Sequence, residues 1–420
     1  MRFSTKLTNT TNTTILKYII FISFIRKNEN VFQKTHIKFF VINNREEIKY
    51  MIFTVDKSAF EKAVTPVSII AQSKAAESSM GGIFLEAKGG LLTLYCYDIE
   101  KGIKTTVEAD IEKEGKIIAD TQIVPIIHSL PEGDVRIVVD DNYIMKITAG
   151  DADFQILGRS ADTYPAMPEV KGYSAFKLSR RQFKQMITRT IFAVSNDDTK
   201  PILKGSLFNV NSENITISAI DGFRVAVRNE KSDSENPELD IRFIMPGRAQ
   251  QNLIRLMDDS DEDIVCELSN KHIIFTLDNL FILIRLLEGD FPDYTKYVPQ
   301  PDSTAVVDRV SLIASLERVA LINDKLKASA RLQFANDQLK ISCETDKGKI
   351  NDLIPVYMEG DPIEVNFNQN YLIDALKACD NDKVLMRIAS KGRGLVIVPR
   401  DEDKKEESTY LQLVMPVRSR

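Results

Sequence analysis

The 420-residue sequence contains no tryptophan, only three histidines and only four cysteines. The cysteines lie too far apart to form a C-x-x-C motif, which argues against a zinc site, an iron–sulfur cluster or a disulfide scaffold. They are Cys96, Cys266, Cys343 and Cys379. A reducing, cytoplasmic setting is therefore expected. The longest apolar run is shorter than the roughly 20 residues that a membrane-spanning helix requires, so no membrane contact is expected either.

Motifs of the common enzyme classes are also missing. The sequence has no G-x-x-x-x-G-K-[ST], no G-x-G-x-x-G before a helix, no H-E-x-x-H and no G-x-S-x-G. Carboxylates alternate at Asp259, Asp261 and Asp263. However, Ile264 stands where a calcium loop needs glycine and Asn270 where it needs glutamate. We interpret this segment as an acidic turn and predict a protein with no catalytic residues, no cofactor and no metal.

Residues 1–50 differ in composition from the rest of the chain, because they contain no glycine, proline, alanine or aspartate. The run Ile15–Ile25 resembles the apolar core of an export signal, but Lys17 interrupts it and charged residues replace the cleavage site. We favour an extension outside the fold over a working signal, with Met51 as the native start. Residues 51–420 then hold 46 basic and 57 acidic residues, a net charge of −11.

The remaining chain contains a domain-sized repeat. Similar segments begin at Phe53, Phe176 and Ala305, which are 123 and 129 residues apart. Each one predicts a strand, a polar cap and an amphipathic helix, followed by alternating apolar residues that are typical of hairpins. A second strand–helix unit recurs within each repeat, at 117–130, 241–257 and 363–379. Proline-rich segments close the first two repeats. We predict three domains, 51–171, 172–301 and 302–420, each built from two strand–helix–strands halves.

Three of the six predicted helices carry apolar residues at i, i+3, i+4 and i+7 and the other three come close to this spacing, which gives each helix one buried stripe against a sheet. The fold class is therefore α+β, with the helices on one side of antiparallel sheets. The six helix windows sum to a charge of +7, which leaves −18 for the rest of residues 51–420. Helices accept Lys and Arg readily on solvated faces, but they accept Glu as readily, and here Glu is scarce. A basic helical face on an acidic body favours sequence-independent contact with the backbone of duplex DNA.

Five segments in order resemble the bacterial DNA polymerase III beta-subunit family of sliding clamps. They are MIFTVDKSAF from Met51, LPEGD at Leu130–Asp134, AIDGFRVA from Ala219, EGDFPDY at Glu288–Tyr294 and VMPVR from Val414. The resemblance covers essentially all of residues 51–420. It implies a non-catalytic processivity factor, a head-to-tail homodimer whose six domains form a ring around duplex DNA, with helices lining the hole.

The resemblance also implies a pocket between domains 2 and 3 that binds short peptides of the clamp loader, the replicative polymerase alpha subunit and repair proteins. It maps onto Leu203, Ile220, Gly222, Phe223, Arg224, Val225, Pro292, Tyr297, Asn368, Tyr371, Met415, Pro416, Val417 and Arg418. Phe223 and Tyr297 depart from residues that some members have there, so peptide preference is expected to differ. The DNA-facing candidates are Lys74, Lys200, Arg248, Lys325 and Lys327 by resemblance, with Arg180, Arg181 and Lys184 from the charge pattern.

Two other functions remain open on the residues alone. A polymerase-associated nuclease would need a cluster of metal-binding carboxylates at strand ends, and the sequence shows none. A monomeric adaptor would share the peptide pocket without closing a ring, and its mass in solution would distinguish it from the clamp.

Overall fold

The computed structural model describes residues 49–71, 81–232, 234, 236–322, 329–389, 393–400 and 410–417. These residues belong to the compact unit Lys49–Arg420. Four predicted site residues, Lys74, Lys325, Lys327 and Arg418, and the apolar run Ile15–Ile25 lie outside the described residues.

The first repeat contains nine strands and two helices in the described residues. In chain order they are β1 (Lys49–Asp56), α1 (Lys57–Ala71), β2 (Ile83–Lys88), β3 (Leu91–Tyr97), β4 (Lys101–Glu108), β5 (Asp110–Lys113), β6 (Gly115–Ala119), α2 (Ile123–Ser129), β7 (Asp134–Asp140), β8 (Ile144–Ala149) and β9 (Ala152–Leu157). Strand β1 thus begins two residues before Met51, with Lys49 opposite Asp140.

The second and third repeats have the same order of elements except that neither has a counterpart of β5, so each contains eight strands and two helices in the described residues. The second comprises β10 (Ser174–Ser179), α3 (Arg180–Thr188), β11 (Gly205–Asn211), β12 (Asn214–Ile220), β13 (Arg224–Lys231), β14 (Asp240–Pro246), α4 (Gly247–Leu256), β15 (Asp263–Leu268), β16 (His272–Leu277) and β17 (Leu280–Arg285). The third comprises β18 (Ser303–Asp308), α5 (Arg309–Ile322), β19 (Ala330–Ala335), β20 (Gln338–Thr345), β21 (Gly348–Gly360), β22 (Ile363–Phe367), α6 (Gln369–Lys377), β23 (Lys383–Ala389), β24 (Gly394–Arg400) and β25 (Tyr410–Val414). Short 3-10 helices span Ile191–Ala193, Pro201–Lys204 and Tyr294–Tyr297.

The predicted periodicities account for these elements. Val135, Ile137 and Val139 of β7 are buried at alternate positions, as a strand with one buried face requires. Phe183 and Ile187 of α3 are one turn apart and both buried. The two helices of each repeat pack against each other: α1 with α2, α3 with α4 and α5 with α6. The prediction of an α+β fold with three two-part repeats is confirmed.

Neighbouring repeats are joined by continuous antiparallel sheets. An eight-stranded sheet runs β10-β15-β16-β17-β4-β3-β2-β6, and its β17–β4 pairing places Ile282 opposite Ile103. A twelve-stranded sheet runs β14-β11-β12-β13-β25-β24-β23-β18-β21-β20-β19-β22, and its β13–β25 pairing places Val225 opposite Leu413. At both junctions the last strand of one repeat's first half pairs with the last strand of the next repeat's second half.

Two strands equivalent to those at the junctions have an unpaired edge among the described residues. They are β9, the last strand of the first repeat's second half, and β21, the last strand of the third repeat's first half. Strand β9 lies at the end of the five-stranded sheet β5-β1-β7-β8-β9 and pairs only with β8. The Gly348–Pro355 part of β21 pairs only with β20, whereas the following residues pair with β18. Apolar side chains are exposed near both edges, Phe154 and Leu157 on β9 and Leu353 on β21. Leu321, near the end of α5, is 83% exposed.

Candidate functional site

The segment before β13 forms a tight turn whose conformation depends on glycine. Gly222 has φ +97°, a region that residues with a Cβ rarely adopt. The Asp221 carboxylate accepts hydrogen bonds from the backbone N–H groups of Phe223 (2.8 Å) and Arg224 (3.0 Å), as aspartate commonly does in turns. The turn presents Phe223 to solvent, with 60% of the residue exposed.

Arg224 follows this turn and links two repeats. Its Nε lies 2.9 Å from Asp221 Oδ2, and its Nη1 lies 2.6 Å from Asp374 Oδ2 on α6. The guanidinium carbon also lies 4.5 Å from the ring centroid of Tyr371 and 5.2 Å from that of Phe192. Both distances are within the range of cation–π attraction. Two carboxylates and two aromatic rings therefore fix the position of the Arg224 guanidinium.

The C-terminal segment lies against the same turn. After β25, the Met415 N–H donates a 2.8 Å hydrogen bond to the carbonyl of Phe223. The Val417 N–H donates a 2.8 Å bond to the carbonyl of Asn366. Residues 415–417 therefore connect the second repeat's turn with the third repeat's β22, and Val417 is exposed there.

Apolar side chains of the second and third repeats form one cluster beneath these segments. It comprises Leu203, Leu207, Ile220, Val225, Val227, Ile244, Phe291, Val396, Val398 and Leu413, with Met415 packed against it. Beside it, the rings of Phe223 and Tyr371 stack with centroids 6.3 Å apart. A buried apolar floor bordered by exposed apolar side chains is typical of a groove that binds an apolar peptide.

The structure brings most of the predicted pocket together. Leu203, Ile220, Val225 and Met415 share the apolar cluster. Pro292 and Pro416 are half-buried. The 3-10 helix Tyr294–Tyr297 ends in an exposed Tyr297 ring. Asn368 caps α6, because its side-chain oxygen accepts the Asn370 N–H at 2.9 Å.

Sequence reasoning missed two residues that contact Arg224, namely Phe192 and Asp374. They lie 32 positions before and 150 positions after Arg224 in the chain. Neither belongs to a motif that would mark it, so only tertiary structure pairs them with Arg224.

The basic residues that open the first helix of each repeat have a structural role. A cation at a helix N-terminus is opposed by the helix dipole. In each repeat, the loop after the second helix compensates. Lys57 Nζ lies 3.0 Å from Glu132, Arg180 Nη2 lies 3.0 Å from Glu262, and Arg309 Nε donates to the Asn381 carbonyl at 2.8 Å. The three backbone N–H groups bond to carbonyls of these same loops.

This arrangement changes the role expected of Arg180. Only 6% of the residue is exposed, and its guanidinium also lies 2.7 Å from Asp278. The hydrogen bond that Arg180 donates to Asp278 raises the pKa of Arg180 above its ordinary value, with Glu262 and Asp258 adding to the effect. Because these carboxylates already occupy the guanidinium, we leave Arg180 out of the residues proposed to face DNA.

An acidic turn at 258–263 also lies against α3. Arg181 donates through Nε and Nη2 to the Asp259 carbonyl at 2.9 and 2.7 Å. Lys184 Nζ lies 3.1 Å from the Asp259 carboxylate. The predicted charge of +7 on the helices is therefore reduced by carboxylates that the helix windows did not include. Arg248 is exposed in the first turn of α4.

Lys200 lies beside the Gly222 turn. It is exposed, and its Nζ would be 3.5 Å from a Cβ built on Gly222. This position borders the turn that carries Phe223 in the predicted peptide pocket.

Within the described part of the chain, no group of three or more His, Cys, Asp or Glu side chains is arranged to hold a metal ion. No described helix is both long enough and apolar enough to cross a membrane.

Family models of the DNA polymerase III beta subunit match the chain in three successive parts. The N-terminal-domain model matches residues 51–168, the central-domain model residues 177–293 and the C-terminal-domain model residues 297–418. Together they account for most of the sequence, and their order follows the three repeats, although the third match begins five residues before 302.

Individual relatives are similar over their whole length or nearly so. The beta sliding clamp of Staphylococcus epidermidis is 28% identical over 389 residues, which cover 88% of this chain and all of the relative. That of Synechococcus elongatus is 29% identical over 350 residues, covering 81% of this chain and 92% of the relative.

Solved structures agree with this similarity. The crystal structure of the DNA polymerase sliding clamp from Bacillus subtilis matches with a TM-score of 0.82 at 25% identity, over 88% of this chain and 100% of that one. The Pseudomonas aeruginosa sliding clamp, in a structure bound to griselimycin, matches with a TM-score of 0.80 at 25% identity over the same shares.

Proposed function

The chain belongs to the DNA polymerase III beta-subunit family, and from this membership we propose that two copies join head to tail into a ring around duplex DNA. The protein is a sliding clamp, a processivity factor of DNA polymerase with no catalytic activity of its own. The observation that carries the ring proposal is the pattern of sheet junctions between repeats.

The same kind of junction occurs twice within one chain. Among the described residues, one strand of each kind is left without a junction partner. Junctions β4–β17 and β13–β25 join equivalent strands, and the corresponding strands that remain are β21 and β9. An open strand edge readily pairs with another chain. Pairing β21 of one copy with β9 of the next would repeat the junction a third time. Because the contact joins two different surfaces, it closes into a ring when the rotation fits.

The proposed ring surrounds DNA without reading its sequence. Phosphate contacts position a protein on a duplex but carry no sequence information, and a closed ring is retained by topology instead of by tight binding. Arg181, Lys184, Lys200 and Arg248 remain the described candidates for these contacts, with Lys74, Lys325 and Lys327 from the resemblance. Exposed Arg248 is the strongest of them, because the acidic turn engages Arg181 and Lys184.

Retention on DNA tests the proposal. The clamp is loaded onto nicked circular DNA by a clamp loader, the sample is passed through a sizing column, and half of it is then linearised. We expect the protein to stay with circular DNA and to leave linear DNA within minutes, because only open ends let a ring slide off. Equal retention on both forms would contradict encirclement.

We further propose that the groove around Phe223 and Met415 binds short peptides of the clamp loader, the replicative polymerase alpha subunit and repair proteins. Its buried aliphatic floor and exposed rim support this role, since apolar and aromatic anchors dominate peptide affinity. The griselimycin complex of the Pseudomonas aeruginosa clamp makes that compound a useful second ligand for binding assays.

Two alternatives are less well supported. A polymerase-associated nuclease requires a metal site, for which the described residues provide no cluster. A monomeric adaptor would have the groove but no ring, and measurement of mass in solution distinguishes it from the dimer.

The domain boundaries and the cellular setting are also proposals. We place the domains at 51–171, 172–301 and 302–420, with Met51 as the native start and the extension before it outside the clamp, apart from Lys49 and Tyr50, which belong to β1. Family-model matches over 51–168, 177–293 and 297–418 support a division into three domains, with the third match beginning five residues before the proposed boundary. We propose a cytoplasmic location, and the intact mass of the protein from its own cell tests the start.

A further inference from the structure

Asp374, on α6 of the third repeat, pairs with Arg224 of the second repeat, one of the residues of the predicted peptide pocket. Its Oδ2 lies 2.6 Å from Arg224 Nη1. The Arg224 side chain is only 12% exposed, whereas that of Asp374 is 44% exposed. A charge-assisted hydrogen bond at this distance is among the stronger polar contacts in proteins. It joins residues 150 positions apart in the chain.

A continuous set of contacts leads from Asp374 to the mouth of the groove. Arg224 lies 4.5 Å from the Tyr371 ring centroid, and the Tyr371 ring stacks on Phe223. The carbonyl of Phe223 accepts the Met415 N–H. One side of the groove comes from the second repeat and the other from the third, so their spacing depends on contacts that cross between repeats.

We propose that Asp374 is a positioning residue for the peptide groove. It holds the Arg224 guanidinium, and through Arg224 it fixes the Phe223 turn against Tyr371 and the C-terminal segment. Asp374 acts without touching the peptide. This inference rests on the proposed peptide-binding function and adds a residue that the family resemblance did not supply.

The planar guanidinium is what makes the linkage rigid. Arg224 directs Nε to Asp221 and Nη1 to Asp374, so the second repeat's turn and the third repeat's helix are held by one flat group. Arginine presents several donors in a fixed geometry, which lysine cannot reproduce. Losing the Asp374 contact leaves Arg224 with its local partner Asp221 but without a carboxylate from α6.

A competing role for Asp374 is to balance basic side chains between α3 and α6. A cavity of about 520 Å³ lies between α3 and α6, and Asp374 lines it. Lys184, Arg189, Lys377 and Asp380 also line this cavity. If Asp374 served mainly to balance these charges, its replacement would alter DNA binding instead of peptide binding. The test therefore measures both.

The decisive variant is Asp374→Asn, which keeps the shape of the side chain and removes its charge. The probe is a fluorescent synthetic peptide carrying the clamp-binding segment of the same organism's DNA polymerase III alpha subunit, and its dissociation constant is measured by anisotropy. We expect binding to weaken about tenfold, within the range found for contacting pairs. Asp374→Glu retains a carboxylate, and we expect it to bind within about twofold of wild type.

Glu317→Gln is the matched control. Glu317 Oε1 lies 2.8 Å from Lys377 on α6, so this variant removes a carboxylate paired with the same helix but away from Arg224. We expect unchanged peptide binding. In an Arg224→Lys background, Asp374→Asn should weaken peptide binding by less than about twofold, because the contact through which Asp374 acts is already lost.

The outcomes separate this inference from the proposed function. If the wild-type protein does not bind the peptide, the proposed function fails and the inference fails with it. If the wild type binds and Asp374→Asn binds equally well, only the inference is overturned. It is also overturned if Glu317→Gln weakens binding as much, if the loss persists fully with Arg224→Lys, or if only duplex DNA affinity changes.

Discussion

At the residue scale, basic side chains that look alike in sequence have different roles in the structure. Arg180 and Arg181 are neighbours at the start of α3, yet the first is buried among carboxylates and the second is exposed. Counting charges along a helix treats them as equal. The difference comes from the loop at 258–263, about 80 residues away, whose acidic groups meet α3 only after folding.

The proposed peptide groove can also be tested by changing individual side chains. The double variant Met415→Ala and Pro416→Ala removes the Met415 side chain that packs against the apolar cluster and the half-buried ring of the next residue. We expect polymerase-peptide binding to fall by at least about 100-fold, since truncating central apolar anchors costs about 2 kcal/mol or more each. Isothermal titration calorimetry measures the loss.

The dimer should remain intact in this double variant, because the two residues lie far in the chain from both open strand edges. Analytical ultracentrifugation provides that control. Peptide affinity within threefold of wild type would contradict the assignment of the groove.

At the element scale, the three repeats share one way of starting their first helix. The last residue of the preceding strand accepts the backbone N–H three residues later. The pairs are Asp56 with Ala59 at 2.9 Å, Ser179 with Gln182 at 3.2 Å, and Asp308 with Ser311 at 2.7 Å. Side chains of this type satisfy N–H groups that would otherwise lack a partner at a helix start. The cap region was visible in the sequence because it recurs at domain-sized intervals.

Asp308 provides a test of this cap. Hydrogen bonds from the Ser311 side chain and backbone lower the pKa of Asp308. We expect Asp308→Ala to destabilise the third repeat by about 1 kcal/mol at neutral pH. Urea unfolding together with hydrogen exchange at the start of α5 measures the effect.

The sign of the pH dependence follows from the lowered pKa. The carboxylate is favoured in the folded state, so its contribution is present above the unfolded pKa of about 3.9 and is lost as pH falls through the lower folded value. Asp308→Asn should keep the cap and lose this acid dependence. An Asp308→Ala variant as stable as wild type would show that the cap does not contribute.

At the scale of the whole molecule, continuous sheets determine how the repeats are connected. Each junction places an apolar strand of one repeat beside an equivalent strand of the next. The same rule leaves β9 and part of β21 open in the described chain, with exposed apolar residues beside both. These surfaces are the proposed dimer contact.

Leu321→Asp tests that contact. Leu321 is exposed in the single chain, so the substitution should leave the folded protomer intact. A charge placed in a closed apolar interface should raise the dimer dissociation constant by about 100-fold or more. Sedimentation velocity over a range of concentrations measures the change.

Tyr173→Asp is the control for this experiment. Tyr173 is an exposed aromatic residue of the second repeat whose backbone N–H bonds to the Leu268 carbonyl of β15, and we expect this variant to remain dimeric. Dissociation of both variants to the same extent, or of neither, would contradict the proposed interface.

The sequence by itself determined the repeats, the α+β class and the order of elements. Apolar spacing and turn residues are local features that span only a few positions. The buried pairs Phe183 and Ile187 in a helix and Val135 and Ile137 in a strand are examples of such spacing. The sequence also predicted the residues of the proposed groove, because they lie in short recognisable segments such as the Asp221–Gly222 turn.

Only the tertiary structure decided which cations are free and which residues support the groove. Arg180 is neutralised by Glu262 and Asp278, and Arg224 is held by Asp374. These pairs join residues about 80 to 150 positions apart. Electrostatic partners of this kind leave no periodic trace in a sequence, since their proximity depends on how whole repeats pack together.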